Sequence, residues 1–234
     1  MPLLSKRLLG YLVVVTGFLS LAYGLTMLSV LNYFSLEGAP PAAVAAFLGQ
    51  NASVLQTSMM AALVGYLVAV PMMLIITTAT FQGATRPGWR RDFAFGLVWA
   101  SLPLRPLWWA ALITLTPALL AASQPSADPD IARATFVAYQ MLYTLLNTTT
   151  EDIAVNILGG GWFVLVGLTI VASRSLPSIL GWTSVGIGAL YLVSSAELFG
   201  MDFGTSGNLI PLIAGVAGPC WLGAAGLLAV RKLT

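Results

Sequence analysis

The sequence predicts an all-α fold: a polytopic transmembrane helix bundle of about six spans with a short interfacial helix on the outer side. Three observations predict it. Of 234 residues, 58% are hydrophobic and only 8% charged, against about 25% charged in an ordinary soluble domain. The apolar residues gather into stretches comparable to the roughly 20 residues that cross a hydrocarbon core. The basic residues fall in alternate connections, as orientation by positive charge requires.

The first apolar stretch, residues 8–34, follows Lys6 and Arg7. It is longer than a signal-peptide core and no convincing small-residue cleavage site closes it, so it reads as an uncleaved first span. A short interfacial helix is expected at 41–48. The second span is 54–79, with Pro71 inside it, and the third is 93–122. Residues 131–147 place Ala134, Val137, Ala138, Met141, Leu142 and Leu145 at helical spacing, interrupted on the other side by Arg133, Gln140 and Asn147. That pattern predicts an amphipathic helix lying in or partly re-entering the outer interface rather than a seventh span. The remaining spans are 153–173, 178–198 and 209–230, and residues 1–234 form a single integral membrane domain.

Six spans place Lys6 and Arg7, then Arg86, Arg90 and Arg91, then Arg174, then Arg231 and Lys232 on one side. By the positive-inside rule that side is cytoplasmic, which puts both termini inside a multi-pass protein of the inner (plasma) membrane. Asp92 is the acidic exception there. The opposite connections carry Glu37, Asp128, Asp130, Glu151, Asp152, Glu197 and Asp202, with Arg133 the basic exception. Gly181, Gly186, Gly188, Gly215, Gly218, Gly223 and Gly226 read as packing seams in the last two spans, because small residues let helices approach closely.

Composition excludes whole classes of chemistry. There is no histidine and one cysteine, which removes the usual haem and catalytic zinc ligands, the Ser-His-Asp and Cys-His mechanisms and an internal disulfide. Cys220 lies in an apolar stretch and reads as packing. No basic face for nucleic acid, phosphate-binding glycine loop or metal-ligand spacing is visible, and no cofactor is implied. The expected partners are the lipid bilayer and other membrane chains or copies of this one.

The strongest clue to a site is Arg105, flanked by Pro103 and Pro106 inside an apolar run. A charge at bilayer depth costs about 2.5–3.5 kcal/mol on insertion scales and calls for a partner. Arg105 is fourteen residues past Arg91, and Gly160 fourteen before Arg174, so both lie about 21 Å from the cytoplasmic edge. Gly159, Gly160 and Gly161 weaken a helix there, and broken backbone at that depth is tolerated where it lines a cavity. The expected ligand-binding set is Arg105, Trp108, Trp109, Glu151, Asp152 and Gly160, with Asp152 the preferred counter-ion. Set against it, Arg105 also suits a purely structural pairing between two spans, and Trp108 and Trp109 also suit an outer aromatic belt.

From Gly159 onward the chain resembles an uncharacterised family of bacterial polytopic membrane proteins, a domain of unknown function usually about six spans long. The resemblance rests on Gly161-Trp162, the run from Arg174-Ser175-Leu176-Pro177 to Gly181-Trp182, and Gly188-Ala189-Leu190-Tyr191-Leu192. It covers about a third of the chain. The family similarly shows an arginine in its third span, corresponding to Arg105; Ser178 and Pro106 depart from its pattern. The resemblance implies the topology and no activity.

Three classes of function remain. The first is a non-enzymatic subunit or accessory protein of a membrane assembly. The second is a binder or carrier of a small anionic or amphipathic molecule in an outer-leaflet cavity near Arg105. The third is a lipid-active enzyme using Asp152 or Glu151 as acid or base, for which no activated nucleophile is visible.

Overall fold

The computed structural model describes residues 10–11, 15, 43, 47, 50–82, 88–122, 124, 127–201 and 209–233. The expected first span and the helix at 41–48 lie outside the described residues, except for Gly10, Tyr11, Val15, Ala43 and Phe47, which are helical. Every other regular element among the described residues is also a helix. They are α1 (Ala52–Phe81), α2 (Gly88–Ser101), α3 (Leu104–Ala122), α4 (Pro129–Leu146), a π-helical segment (Asn147–Gly159), α5 (Gly160–Ser173), α6 (Ser178–Ser194), a 3-10 turn (Ser195–Phe199) and α7 (Leu209–Leu233). Among the described residues three stretches are long and apolar enough to cross a membrane: Leu63–Phe81, Asp152–Ser173 and Ile213–Leu233.

The expected stretches at 54–79 and 209–230 fall within α1 and α7, and 178–198 divides into α6 and the 3-10 turn. Residues 93–122 are not one helix. Leu102 and Pro103 interrupt it, because Pro103 and Pro106 cannot donate to carbonyls four residues earlier. The interruption leaves the last carbonyls of α2 needing donors. The Tyr66 hydroxyl of α1 donates to the Ser101 carbonyl at 2.9 Å, and Ser101 Oγ donates to the Val98 carbonyl at 2.9 Å. A tertiary bond thus completes a helix end that the local sequence cannot.

The helix expected at 131–147 is present as α4, but no turn separates it from the stretch that follows. Helical backbone runs without interruption from Pro129 through the π segment to Ser173. The π segment joins α4 to the apolar stretch that follows, and α4 packs against α3.

The closest packing is between α5 and α6, which run antiparallel around the short connection Arg174–Pro177. Gly160 and Gly167 on α5 are seven residues apart, as are Gly181 and Gly188 on α6. Two turns of helix bring each pair to one face. A Cβ at Gly188 would lie 2.6 Å from the Gly160 carbonyl oxygen, and one at Gly167 would lie 2.6 Å from that of Gly181. Backbone therefore meets backbone at two levels. Between them the buried Ser184 hydroxyl donates to the Phe163 carbonyl at 2.7 Å.

Gly159, Gly160 and Gly161 are not a break. Gly159 and Gly160 hold right-handed helical angles, and Gly160 is buried against α6. Of the three, Gly160 serves close approach, whereas a Cβ at Gly159 or Gly161 would make only ordinary contacts at 3.6 and 3.7 Å. The other glycines of the last two helices divide in use. Gly181, Gly188 and Gly218 face neighbours, whereas a Cβ at Gly186, Gly215 or Gly223 would meet nothing within 4 Å. Cys220 is exposed on α7, contrary to the expected packing role, because its neighbour Trp221 takes the inward position.

Trp162, with no exposed surface, sits at the centre of the core. Its ring lies edge-on to Phe163 and Trp221, with centroids 5.1 and 6.0 Å away, and Phe163 stacks on Tyr191 at 5.9 Å. Each polar tip finds an acceptor on another helix. Trp162 Nε1 donates to Thr77 Oγ1 of α1 at 3.0 Å, Tyr191 to the Ala214 carbonyl of α7 at 2.9 Å, and Trp221 Nε1 to the Leu180 carbonyl of α6 at 2.8 Å. Four aromatic residues thereby tie α1, α5, α6 and α7 together. Buried donors of this kind are matched because an orphan costs about 1–3 kcal/mol.

The seam yields a paired prediction for thermal unfolding of the detergent-extracted protein. Gly188→Ala forces α5 and α6 apart and lowers stability by about 1–3 kcal/mol. Gly186→Ala, two residues away on the open side, is neutral or stabilising by up to about 1 kcal/mol through helix propensity. Equal effects at the two positions would disprove the backbone contact.

Candidate functional site

Of the residues expected to form a site, Asp152 and Gly160 are described in full. The side chains of Arg105, Trp108, Trp109 and Glu151 lie outside the described residues, although their backbone is helical. The elements carrying them do meet. α3, which bears Arg105, packs against the π segment, which bears Glu151 and Asp152, and the π segment also packs against α2 and α6.

The π segment begins in a polar run. It opens with Asn147, Thr148, Thr149 and Thr150, then Glu151 and Asp152, and Asn, Thr and Asp are of modest helix propensity. The Thr150 hydroxyl takes the Leu146 carbonyl, the acceptor that an α-helical N–H would otherwise use. At the far end the Gly160 N–H still reaches the Val155 carbonyl as well as that of Ile157. π-helical geometry usually appears as a single turn, frequently at functional sites. Thirteen residues of it are unusual.

Within this segment Asn156 is 4% exposed and Thr150 1% exposed. Asn156 Nδ2 donates to Asp152 Oδ1 at 3.3 Å, one helical turn earlier. Its other amide atom, Oδ1, is buried without a hydrogen-bond partner. The site therefore offers a partly buried carboxylate and an inward amide oxygen. Both are acceptors, and they suit a hydrogen-bond donor or a cationic group. No group of three or more His, Cys, Asp or Glu placed to hold a metal occurs among the described residues.

Asp152 was legible in the sequence as a carboxylate beside an apolar span. Asn156 was not singled out, although an amide inside an apolar helix is itself a signal. Gly160 belongs to the α5–α6 seam, where Gly188 and Tyr191 close over it. It is no hinge.

The chain matches no protein-family model, no curated protein and no solved structure.

An apolar isostere tests the buried amide. Asn156→Leu removes the unpartnered oxygen and is expected to raise stability in detergent by about 1 kcal/mol or more. A loss of stability would mean that the Asn156 Nδ2 bond to Asp152, or a partner at Oδ1, outweighs the cost of the buried oxygen.

Proposed function

We propose that the chain is a six-span integral protein of the plasma membrane with both termini cytoplasmic, and that it acts as a non-enzymatic subunit or accessory protein of a membrane assembly. The resemblance from Gly159 onward to a family of bacterial multi-pass proteins accords with that topology. Burial supports the membrane environment: 39% of the apolar window in Ile213–Leu233, of mean hydropathy 1.8, is buried within the fold. The outward remainder needs a lipid or protein neighbour.

One observation carries the assembly reading. α5 and α6 show how this chain uses glycine, by bringing backbone onto backbone at Gly160–Gly188 and Gly167–Gly181. Gly96 on α2, Gly186 on α6, and Gly215 and Gly223 on α7 have the same character with open space above them. Each costs about 1 kcal/mol of helix propensity relative to alanine. Small residues facing outward from apolar helices support close approach by another membrane helix.

A second reading rests on a different observation. The helix bearing Arg105 packs against the segment holding Asp152 and the unpartnered Asn156 oxygen. A binder or carrier of a small anionic or amphipathic molecule would place its ligand there, with Arg105 meeting the anion and the acceptors holding the rest.

Mass spectrometry of the protein gently extracted from its native membrane separates the two. The subunit reading expects a stoichiometric second polypeptide, lost on introducing Gly215→Leu and Gly223→Leu together while the thermal transition is retained. A monomer or homo-oligomer carrying one defined anionic molecule overturns it and supports the binder. Retention in the membrane pellet through alkaline carbonate washing tests integration separately, and release would refute the spans.

A further inference from the structure

The connection between α5 and α6 closes in an uncommon way. Arg174 caps α5 in the left-handed conformation, with φ 52°, its N–H bonded to the Ile170 carbonyl at 2.8 Å. Glycine or asparagine usually occupies such a position, because a Cβ there is disfavoured by about 1–2 kcal/mol. The next helix begins just as unusually. Pro177 precedes α6 and no side chain caps it, whereas Ser, Thr, Asp or Asn would ordinarily satisfy its first N–H groups.

Beside this connection lies an open cavity of about 720 Å³. Its polar lining is Arg174, Ser175, Ser178 and Lys232, and Val171 and Leu228 contribute to its apolar wall. No acidic residue lines it among the described residues. Lys232 reaches it from the C-terminal end of α7, where its ammonium also donates to the Ala79 carbonyl of α1 at 3.0 Å. That bond uses one of three ammonium donors and fixes where the charge stands. The Ser175 hydroxyl is buried and has no hydrogen-bond partner. The Arg174 side chain is exposed, and no protein acceptor engages its guanidinium among the described residues.

We propose that this cavity binds a phosphate-bearing anion, held by Arg174 and Lys232 with Ser178 at the uncapped start of α6, and that in the membrane the phosphate belongs to an anionic phospholipid. Two cations, one at the end of α5 and one on α7, hydroxyl groups and a helix start without a side-chain cap converge, with no carboxylate in the lining among the described residues. Phosphate accepts from all of these groups, and arginine and a helix N-terminus are both suited to it. The apolar wall matches the glycerol and acyl portion of a lipid whose headgroup sits at the basic rim, the arrangement by which basic pockets between helices take lipid headgroups. The lipid source rests on the membrane reading proposed above; the phosphate chemistry does not.

The test uses the full chain purified in a neutral detergent, titrated with short-chain phosphatidylglycerol, short-chain phosphatidylcholine or inorganic phosphate, and read by native mass spectrometry and thermal shift. Phosphatidylglycerol is expected to bind and raise the melting temperature, with phosphatidylcholine without effect. Arg174→Asn keeps a residue that tolerates the left-handed cap and removes the charge, so it separates binding from folding. It and Lys232→Gln should each weaken phosphatidylglycerol binding about tenfold, the worth of one charge-assisted hydrogen bond. Arg91→Gln, which removes an exposed arginine paired with Asp92 at 3.1 Å, should leave binding unchanged.

Protection by inorganic phosphate equal to that by the lipid would keep the site and overturn its lipid source. Equal weakening by Arg91→Gln and Arg174→Asn would reduce the effect to general charge and overturn the site. Absence of binding by both anions would overturn it as well. Carbonate extraction reports on membrane integration independently, so failure of that reading is distinguishable from failure of this one.

Discussion

Contact of backbone with backbone between α5 and α6 is the constraint on which the rest of the fold depends. Gly160 against Gly188 and Gly167 against Gly181 set the separation of the two helices. At that separation Ser184 reaches the Phe163 carbonyl, and Phe163 stacks on Tyr191. Tyr191 in turn reaches the Ala214 carbonyl only because Gly218 has no side chain: a Cβ there would lie 2.8 Å from its hydroxyl. A wider α5–α6 spacing would therefore disturb the docking of α7 too. The chain of dependence runs from glycine to aromatic to carbonyl.

The aromatic cluster resolves a tension inherent in so apolar a sequence. Tyr and Trp supply large buried area but carry a polar tip that needs a partner. In helices nearly every backbone carbonyl is already engaged, so the tips bond to carbonyls as additional donors or to a hydroxyl such as Thr77. Thr77 passes the bond on by donating to the Met73 carbonyl at 2.7 Å. Hydrogen bonds between helices carry direction, which dispersion contacts among Leu, Val and Ala do not.

The π segment is the counterpart of this rigid half. Beside it α2, α3 and α6 converge, and within it Thr150, Asp152 and Asn156 gather polar groups. The polar run that opens it is a local property, readable from the chain. That it would open thirteen residues of widened helix rather than a turn was not readable. Either outcome satisfies the same backbone groups, and the choice falls to packing against three neighbouring helices.

Helical class and the positions of α1, α6 and α7 were legible because apolar run length and proline or glycine punctuation act locally. Arg174 and Lys232 were likewise assigned to one end of the bundle from charge placement, and they line one cavity. Of the candidate site, Asp152 could be read as a carboxylate beside a span, whereas its bond to Asn156 could not. The use of each glycine was hidden as well. Gly186 and Gly188 are two residues apart with the same chemistry, yet one faces open space and the other a carbonyl. Residue identity and helical period say which positions share a face. Which face meets a neighbour is decided by all the helices at once, because burial is a property of the assembled bundle and not of any one segment.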